Sequence, residues 1–422
     1  MPRKILYVIL DGLGDDPVPS LDGRTPLAAA RTPNLDAIAA KGRSGLVTTV
    51  APDIAPESDI AVFSILGYDP EKQHAGRGPL EALGSRISMP DGDVAWRANY
   101  ATVDERGTIV DRRAGRDLSD DEARALAEAL NEAVSLEGGS ATFKATSEHR
   151  GVLHLRAARP MSGEISNTDP AYERRGALGV ALETFDPYPL EARALDPTDG
   201  GAVLAAELTN LWSKASRDVL GSHPVNSARS ARNRPPANIV LVRDAGDHIP
   251  VVQSLKERFG MDWACFAEMP VEIGISRVTG MTPVLVSASG TDPDAYARLA
   301  TQTLETLGGY DGLYVHIKGP DVPAHDGRAE DKRDSIAAID EGYFGTVLPE
   351  LDPDTVLAVT ADHSTSCVRK AHTADPVPLV VAGPGISADG VTLYSEAAAA
   401  DGSLGHLRGV QVLPLLVEMA RG

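Results

Sequence analysis

Aspartate and histidine residues closely follow three hydrophobic segments of the chain, residues 5–10, 312–317 and 356–360. The candidate metal ligands after these segments are Asp11, Asp321, His325, Asp362, His363 and His372. Mixed carboxylate and imidazole ligands suit Mn²⁺ or Zn²⁺ and do not suit an all-oxygen Ca²⁺ site. Two such ions can stabilise both the attacking and the leaving oxygen of an in-line displacement at phosphorus. The residue types therefore predict a metal site for hydrolysis or group transfer.

Each of these candidates has a structural alternative when it is taken alone. Asp11-Gly12 is also a common turn signal, and His372 could be a hydrogen-bonded loop histidine. Asp321 and His325 are four residues apart, so they can share one face of a helical turn, but they could also lie in a solvated loop. The recurrence of ligand residues after three separate segments favours a shared site.

Ser58 is the candidate nucleophile. It lies in a proline-flanked loop at the predicted start of a helix. A bound metal would acidify its hydroxyl group, and a helix amino end favours an anionic oxygen. A serine in this position is equally consistent with a helix N-cap, so the residues alone leave both interpretations open.

Four arginines are candidate anion binders. Arg112, Arg113 and Arg116 lie close together, and Arg243 lies at the end of a predicted strand. Arginine binds phosphate and carboxylate groups through paired hydrogen bonds. The alternatives are a solvated charged face or salt bridges between domains.

The three hydrophobic segments are typical of strands that are buried on both faces, because they are rich in Val, Ile and Tyr and bounded by Gly, Pro and Asp. In open α/β sheets the ligand site lies beyond the carboxyl ends of the strands. The sequence therefore predicts an α/β fold with a largely parallel central sheet flanked by helices, with the candidate ligands at one edge of the sheet.

Strand and helix signals alternate at both ends of the chain and give way to a different pattern in the middle. Residues 1–75 and 237–422 are predicted to form one catalytic α/β domain. Residues 76–236 are rich in arginine and contain a capping-box signal at 119–122, which predicts a smaller inserted α+β domain. The polar stretch 229–236 is the predicted return linker.

Composition narrows the possible partners. The chain has 60 acidic and 40 basic residues, a net charge of -20, which disfavours sequence-independent binding of nucleic acid. Two cysteines, Cys265 and Cys367, exclude a disulfide scaffold. The sequence shows neither a signal-peptide pattern nor a stretch of ~20 apolar residues, so the prediction is a cytoplasmic protein without a membrane partner.

Ordered motifs along nearly the whole chain resemble the alkaline-phosphatase superfamily and, more narrowly, the archaeal-type cofactor-independent (2,3-bisphosphoglycerate-independent) phosphoglycerate mutases. Besides the candidate ligands, the motifs that carry the resemblance are residues 32–36, 56–59, 66–70, 76–79, 111–116, 316–321, 325–327 and 375–378. The resemblance implies an alkaline-phosphatase-like core and a smaller inserted domain that clamps the substrate with arginines.

The resemblance also implies a mechanism and a metal set. One divalent ion would be held by Asp11, Ser58, Asp362 and His363, and the other by Asp321, His325 and His372. Mn²⁺ is the first expectation, with Zn²⁺, Co²⁺ and Mg²⁺ as alternatives. Such enzymes interconvert 3-phosphoglycerate and 2-phosphoglycerate through a phosphoserine, which would form here at Ser58, and the substrate is a small phosphorylated acid.

Three residues depart from the pattern of that family. Asn167 and Ala171 stand where the pattern has Asp and His, and Asp244 stands where it has Gly. These changes lie away from the candidate ligands and bear on substrate identity. They keep open a relative that acts on another phosphorylated or phosphonate acid, beside a metal-dependent phosphatase and a non-enzymatic metal-binding protein.

Overall fold

The computed structural model describes residues 3–182, 184–286 and 290–422. In chain order, the strands of the described residues are β1 (Ile5–Leu10), β2 (Arg43–Thr48), β3 (Val94–Val103), β4 (Ile109–Asp111), β5 (Gly139–Ala145), β6 (Arg150–Ala157), β7 (Tyr172–Arg175), β8 (Leu178–Ala181), β9 (Ile239–Gly246), β10 (Trp263–Ala267), β11 (Thr282–Leu285), β12 (Gly312–Ile317), β13 (Val356–Thr360), β14 (Ser364–Ser366), β15 (Ala371–Thr373), β16 (Val377–Ala382) and β17 (Gly405–Arg408).

The helices alternate with these strands over much of the chain. They are α1 (Pro26–Ala29), α2 (Pro33–Lys41), α3 (Ser58–Ile65), α4 (Pro70–Gln73), α5 (Arg77–Gly84), α6 (Asp120–Ala133), α7 (Gly200–Ser222), α8 (Pro224–Ala231), α9 (Leu255–Phe259), α10 (Pro270–Thr279), α11 (Pro293–Leu307), α12 (Asp321–Asp326), α13 (Ala329–Ile339), α14 (Gly345–Glu350), α15 (Glu396–Ala400) and α16 (Gly409–Arg421). Among the described residues, none of these helices is both long and apolar enough to cross a membrane.

The chain divides into two compact units. Unit 1 comprises Met1–Lys72, Val252–Glu268 and Thr279–Gly422, and unit 2 comprises Gln73–Val251 and Met269–Val278.

The return to unit 1 lies later in the chain than residue 237, where the sequence pattern suggested it. The reason is that β9 pairs antiparallel with β3 and so completes the sheet of unit 2. A second excursion into unit 2, which contains most of α10, carries no signal in the sequence that we identified.

The core of unit 1 is an eight-stranded sheet in the order β11-β10-β12-β1-β13-β16-β2-β17. The strands from β11 to β13 run parallel, and β16 runs antiparallel to both of its neighbours. Every residue of β1 and β12 is buried, which explains their unbroken hydrophobic sequences. The prediction of an α/β fold with a largely parallel sheet is confirmed.

The register of β1 with its two neighbours determines where the following residues lie. Leu10 pairs with Ile317 of β12, and Ile9 pairs with Thr360 of β13. All three strands are parallel, so their carboxyl ends meet at one edge of the sheet, as the sequence predicts.

Unit 2 is built on a five-stranded sheet in the order β4-β3-β6-β5, with β9 also paired to β3. Its core is largely aromatic and aliphatic, and the rings of Phe143 and Trp212 stack at a centroid distance of 5.5 Å. The predicted capping box of α6 is present, because the Ser119 hydroxyl accepts from the Glu122 N–H and the Glu122 carboxylate accepts from the Ser119 N–H.

Candidate metal centre

The candidate ligands of unit 1 are positioned by the ends of neighbouring strands and by two short elements. Asp11 directly follows β1, and Asp362 and His363 follow β13. Asp321 opens the short helix α12, one turn before His325. Another strand supplies the last ligand, since His372 lies in β15, which pairs with β14 directly after His363.

The first ligand group consists of Asp11, Asp362 and His363, whose ligand atoms all lie within 4.8 Å of one another. His363 Nε2 is 3.6 Å from Asp11 Oδ1 and 3.2 Å from Asp362 Oδ2. Ser58 Oγ lies 3.2 Å from the same Nε2 atom. The candidate nucleophile therefore sits against this group.

The second ligand group consists of Asp321, His363 and His372, again within 4.8 Å of one another. His325 Nε2 and His372 Nε2 lie 3.5 Å and 3.6 Å from Asp321 Oδ1. All seven sequence-predicted residues are thus brought together. His363 belongs to both groups by distance, whereas the family resemblance assigned it to one ion.

Two of the histidines are oriented by main-chain carbonyl groups. His372 Nδ1 lies 2.8 Å from Pro56 O, and His325 Nδ1 lies 3.2 Å from Lys370 O. A carbonyl oxygen only accepts, so Nδ1 carries the proton and Nε2 faces Asp321. This is the tautomer that a metal ligand needs when it binds through Nε2.

Burial and opposite charge compete at the second group. Burial alone would lower the pKa of His372, but the adjacent Asp321 carboxylate outweighs burial and raises this pKa to about 10. Burial would raise the pKa of Asp321, but the neighbouring histidines hold it well below its usual range. Asp362 behaves in the same way, because His363 and His316 lower its pKa against the effect of burial. The site therefore favours ionised carboxylates that attract positive charge.

Two buried carboxylate oxygens test whether the site fits a cation. Asp11 Oδ1 and Asp362 Oδ2 are inaccessible to solvent, and within the described part of the chain neither accepts a hydrogen bond. The other oxygen of Asp362 accepts from the main-chain N–H groups of Gly12, at 3.1 Å, and His363, at 3.0 Å. Burial of an acceptor without a donor is costly, and a divalent cation would remove that cost. The residues fit a metal ion.

Thr365 joins the two ligand groups, although the sequence did not single it out. Its hydroxyl donates to Asp321 Oδ1 at 2.8 Å and lies 3.0 Å from His363 Nδ1. A carboxylate only accepts, so the single hydroxyl proton goes to Asp321 and the oxygen accepts from His363 Nδ1–H. The Nε2 lone pair of His363 then faces Ser58. The close approach leaves no room beside Gly12, where a Cβ atom would lie 2.7 Å from the Thr365 hydroxyl oxygen.

Two lysines complete the surroundings of the site. Lys318 Nζ lies 3.2 Å from Asp11 Oδ2. Lys332 on α13 is fully buried and donates to Gly14 O, Thr365 O and Asp15 Oδ2 at 2.8–2.9 Å. Lys318 could have been found from its position just after β12. Lys332 lies in a charged helical sequence that gives no sign of its burial.

The candidate anion binders of unit 2 are only partly brought together. Arg112 makes a two-bond contact with Asp169, at 3.0 and 2.6 Å, and Arg243 Nη1 donates to Asp244 Oδ2 at 2.7 Å. Both guanidinium groups lie over the ring of Tyr172, at 5.0 and 3.6 Å from its centroid. Arg113 and Arg116 follow on the next turn, where Arg116 is exposed.

His149 reports the electrostatic potential of this region. Burial, with the positive charges of Arg150, Arg97, Arg116 and Arg112, lowers the pKa of His149 to about 3. Unit 2 thus contains a locally positive region within a chain whose net charge is -20. Such a region attracts anions.

The three residues that depart from the family pattern lie in the same part of unit 2. Asn167 donates to Tyr172 O at 3.1 Å and accepts from the main-chain N–H of Asp244, also at 3.1 Å. Ala171 is buried, and its N–H donates to Asp169 Oδ1 at 3.1 Å. Two of the departures, at residues 167 and 244, are therefore in direct contact.

Known proteins identify the family. A family model described as 2,3-bisphosphoglycerate-independent phosphoglycerate mutase matches residues 39–226. The protein of that name from Aeropyrum pernix is 43% identical, over 99% of this chain and 100% of the relative. The one from Methanopyrus kandleri is 38% identical, over 100% and 97%. The chain belongs to this family. The predictions of the family and of an isomerase are confirmed.

Solved structures agree with this assignment. The PH0037 protein from Pyrococcus horikoshii matches with a TM-score of 0.79 and 28% identity, covering 100% of this chain and 98% of that chain. A cofactor-independent phosphoglycerate mutase from Thermoplasma acidophilum matches with a TM-score of 0.61 and 32% identity, covering 99% and 100%. The fold of the family extends over the whole chain.

Proposed function

We propose that this chain interconverts 3-phosphoglycerate and 2-phosphoglycerate through a phosphoserine at Ser58. The observation that carries the proposal is the position of Ser58 Oγ, 3.2 Å from His363 Nε2, where the two ligand groups meet. The names of the relatives support the substrate. The relatives from Aeropyrum pernix and Methanopyrus kandleri are both named phosphoglycerate mutases that do not depend on 2,3-bisphosphoglycerate.

The proposed cofactors are two divalent metal ions. Asp11, Ser58, Asp362 and His363 would hold one ion, and Asp321, His325 and His372 would hold the other, with His363 close to both. The mixed oxygen and nitrogen donors suit Mn²⁺ first, with Zn²⁺, Co²⁺ and Mg²⁺ as alternatives. When bound, such ions supply Lewis-acid stabilisation of the charge on the transferring phosphoryl group.

Ser58 is well placed to act as the nucleophile. It is the first residue of α3, so the main-chain N–H groups of the first helical turn favour negative charge near its oxygen. In the first step, the Ser58 oxygen bonds to phosphorus, the bond from phosphorus to the 3-oxygen of the substrate breaks, and the serine proton ends on that oxygen. The second step is the reverse reaction with the 2-hydroxyl group of glycerate, so protons balance over the cycle.

A mutase must keep water from the phosphoserine, because hydrolysis would turn it into a phosphatase. We propose that the inserted domain contributes to this by binding the anionic groups of glycerate through Arg112, Arg113, Arg116 and Arg243. The positive potential that lowers the pKa of His149 supports an anion-binding role.

The test is to incubate the Mn²⁺-loaded protein with 3-phosphoglycerate, without 2,3-bisphosphoglycerate, and to follow the products by ³¹P NMR. We expect a 2-phosphoglycerate signal, and we expect Ser58→Ala to abolish it. Ser64→Ala is the matched control, because Ser64 lies buried on the same helix outside the ligand groups. Retained mutase activity in Ser58→Ala would contradict the nucleophile assignment.

The same experiment separates the alternatives. Inorganic phosphate released in step with substrate loss would identify a phosphatase. A second candidate function, action on another phosphorylated or phosphonate acid, is favoured by Asn167, Ala171 and Asp244. Much faster turnover of such an acid than of 3-phosphoglycerate in a substrate panel would establish it.

A further inference from the structure

The pairing of β9 with β3 contains a β-bulge at Asp244. Arg97 on β3 pairs with Arg243, whereas Ala95 pairs with Gly246, so Asp244 and Ala245 both lie opposite Trp96. Asp244 has a φ angle of 59°, in the left-handed region that favours glycine. A bulge of this type normally has glycine in that position, and another residue there is strained by about 1 kcal/mol or more.

The bulge changes the direction of the Asp244 side chain. Neighbouring side chains of a regular strand point to opposite faces of the sheet. Here the carboxylate of Asp244 instead reaches the guanidinium of the preceding residue, with 2.7 Å between Arg243 Nη1 and Asp244 Oδ2. Both side chains are buried, with 3% and 4% exposed. The strained backbone conformation therefore produces a buried ion pair between adjacent residues.

The surroundings hold Asp244 in this conformation. Its main-chain N–H donates to Asn167 Oδ1 at 3.1 Å. Gly179 on β8 leaves space for its carboxylate, since a Cβ atom at that position would lie 2.1 Å from Asp244 Oδ1. On the other side, Arg243 packs on the face of Tyr172. Three separate elements thus fix a carboxylate against Arg243.

Strain at a buried position persists only where the surrounding structure imposes it, and it is a common feature of functional sites. We propose that Asp244 competes internally with the substrate anion for Arg243 and so sets the affinity for substrate. This inference rests on the proposed function of Arg243 as a binder of the carboxylate or phosphate group of phosphoglycerate. A substrate anion and Asp244 need the same guanidinium, so binding must displace the internal carboxylate.

This role has a kinetic signature. Displacement of Asp244 weakens the binding of the substrate, the reaction intermediate and the product alike, because the same ion pair must be broken for each. Loss of the competitor should then lower KM and leave kcat nearly unchanged. A purely structural role for Asp244 in the bulge would not produce this pattern.

Two substitutions separate charge from backbone conformation. Asp244→Asn keeps the size of the side chain and removes its charge. Asp244→Gly removes the side chain and relieves the strain of the positive φ angle. Asp247→Asn is the matched control, because Asp247 lies one residue beyond β9 and bonds to Gly163 N and His248. It removes the same charge nearby without touching Arg243.

The binding experiment uses the full chain with Ser58→Ala, so that ligand is not consumed, and calorimetric titration with 3-phosphoglycerate. We expect Kd to fall about tenfold in both Asp244 variants, the size of effect for one charged hydrogen bond, and to stay the same in Asp247→Asn. An unchanged or higher Kd in Asp244→Asn and Asp244→Gly would overturn the inference. In the catalytically intact chain, KM should fall by a similar factor.

Turnover and binding distinguish the two proposals. Absence of 3-phosphoglycerate turnover by the unchanged chain would reject the proposed function. Titration with inorganic phosphate would still decide the role of Asp244. Tighter phosphate binding in Asp244→Gly and Asp244→Asn supports the internal competitor, and equal or weaker binding rejects it.

Discussion

The metal centre of unit 1 and the arginine cluster of unit 2 both concentrate buried charge, but they balance it differently. In the metal centre, Asp11 and Asp362 each keep a buried oxygen that accepts no hydrogen bond within the described residues. In the arginine cluster, Arg112 and Arg243 each contact a carboxylate of the chain itself. The first arrangement suits the capture of a cation, and the second suits the exchange of one anion for another.

The two regions also differ in how their side chains are held. The ligands of the metal centre follow parallel strands whose register is fixed on both sides of β1. The arginines depend on a bulge and on a turn, where Ala114 and Arg116 have positive φ angles. The comparison suggests a rigid centre for chemistry and an adaptable one for substrate binding. The predictions below test it, beginning with the largest effect.

The largest effect is expected at the metal centre. Asp362→Asn keeps the shape of the side chain but removes a negative charge, so metal content and mutase activity should both collapse, with activity falling by about 10³-fold or more. Metal analysis and the ³¹P assay measure both quantities. Asp354→Asn, in the exposed turn before β13, is the control. Full Mn²⁺ occupancy in Asp362→Asn would contradict the assigned ligand role.

The next effect concerns the orientation of the ligands. Thr365→Val has nearly the same shape but cannot bond to Asp321 or His363, so Mn²⁺ affinity should fall by about 10- to 100-fold. Calorimetric titration with Mn²⁺ measures this change. Thr365→Ser keeps the hydroxyl and should retain most of the affinity. Equal losses in both variants would show that packing of the methyl group, rather than the hydrogen bonds, is what matters.

A smaller effect tests the internal ion pairs of unit 2. Arg112→Ala leaves Asp169, whose side chain is only 1% exposed, without its two guanidinium hydrogen bonds. We expect the free energy of unfolding to fall by about 2–3 kcal/mol in urea denaturation, below the range for a fully buried pair because Arg112 is partly exposed. Arg113→Ala should change stability by less than about 0.5 kcal/mol. Similar losses in both variants would mean that the Asp169 contact contributes nothing.

The smallest effect concerns pH. The pKa of His149 falls from an ordinary 6.5 to about 3 on folding, so between these values the unfolded chain binds more protons than the folded chain. Stability from neutral His149 is therefore present above pH 6.5 and is lost as the pH falls toward 3. His149→Gln should reduce the loss of stability between pH 6 and pH 4 by about 1–2 kcal/mol, measured by urea denaturation at each pH. Parallel acid profiles for both proteins would refute this prediction.

Much of the metal centre was predictable because its signals are local. Each ligand lies within a few residues of a hydrophobic strand or a tight turn, and parallel strands align their ends. Short-range caps were predictable for the same reason. Thr32 and Gly42 flank α2 as expected, and Ser119 caps α6.

The features that the sequence did not reveal depend on long-range contacts. Strand periodicity cannot show that β9 pairs with β3, or that His363 lies close to both ligand groups. Residues 229–236 suggested a linker, but Arg229 is fully buried at the end of α8 and bonds to Asp117 and Glu122. The internal partners of Arg112 and Arg243 were likewise invisible, because whether a charge is paired depends on the fold around it.

The register of β1 also has a consequence for the synthesis of the protein. Ile5 pairs with Gly312 and with Val356, so the central strand finds its neighbours only after more than 300 further residues have been added. Pairings this distant form late, because a long loop must close first. A nascent chain therefore cannot hold its metal ions until the segments that carry Asp362 and His372 have left the ribosome. We expect metal uptake to accompany the last folding step.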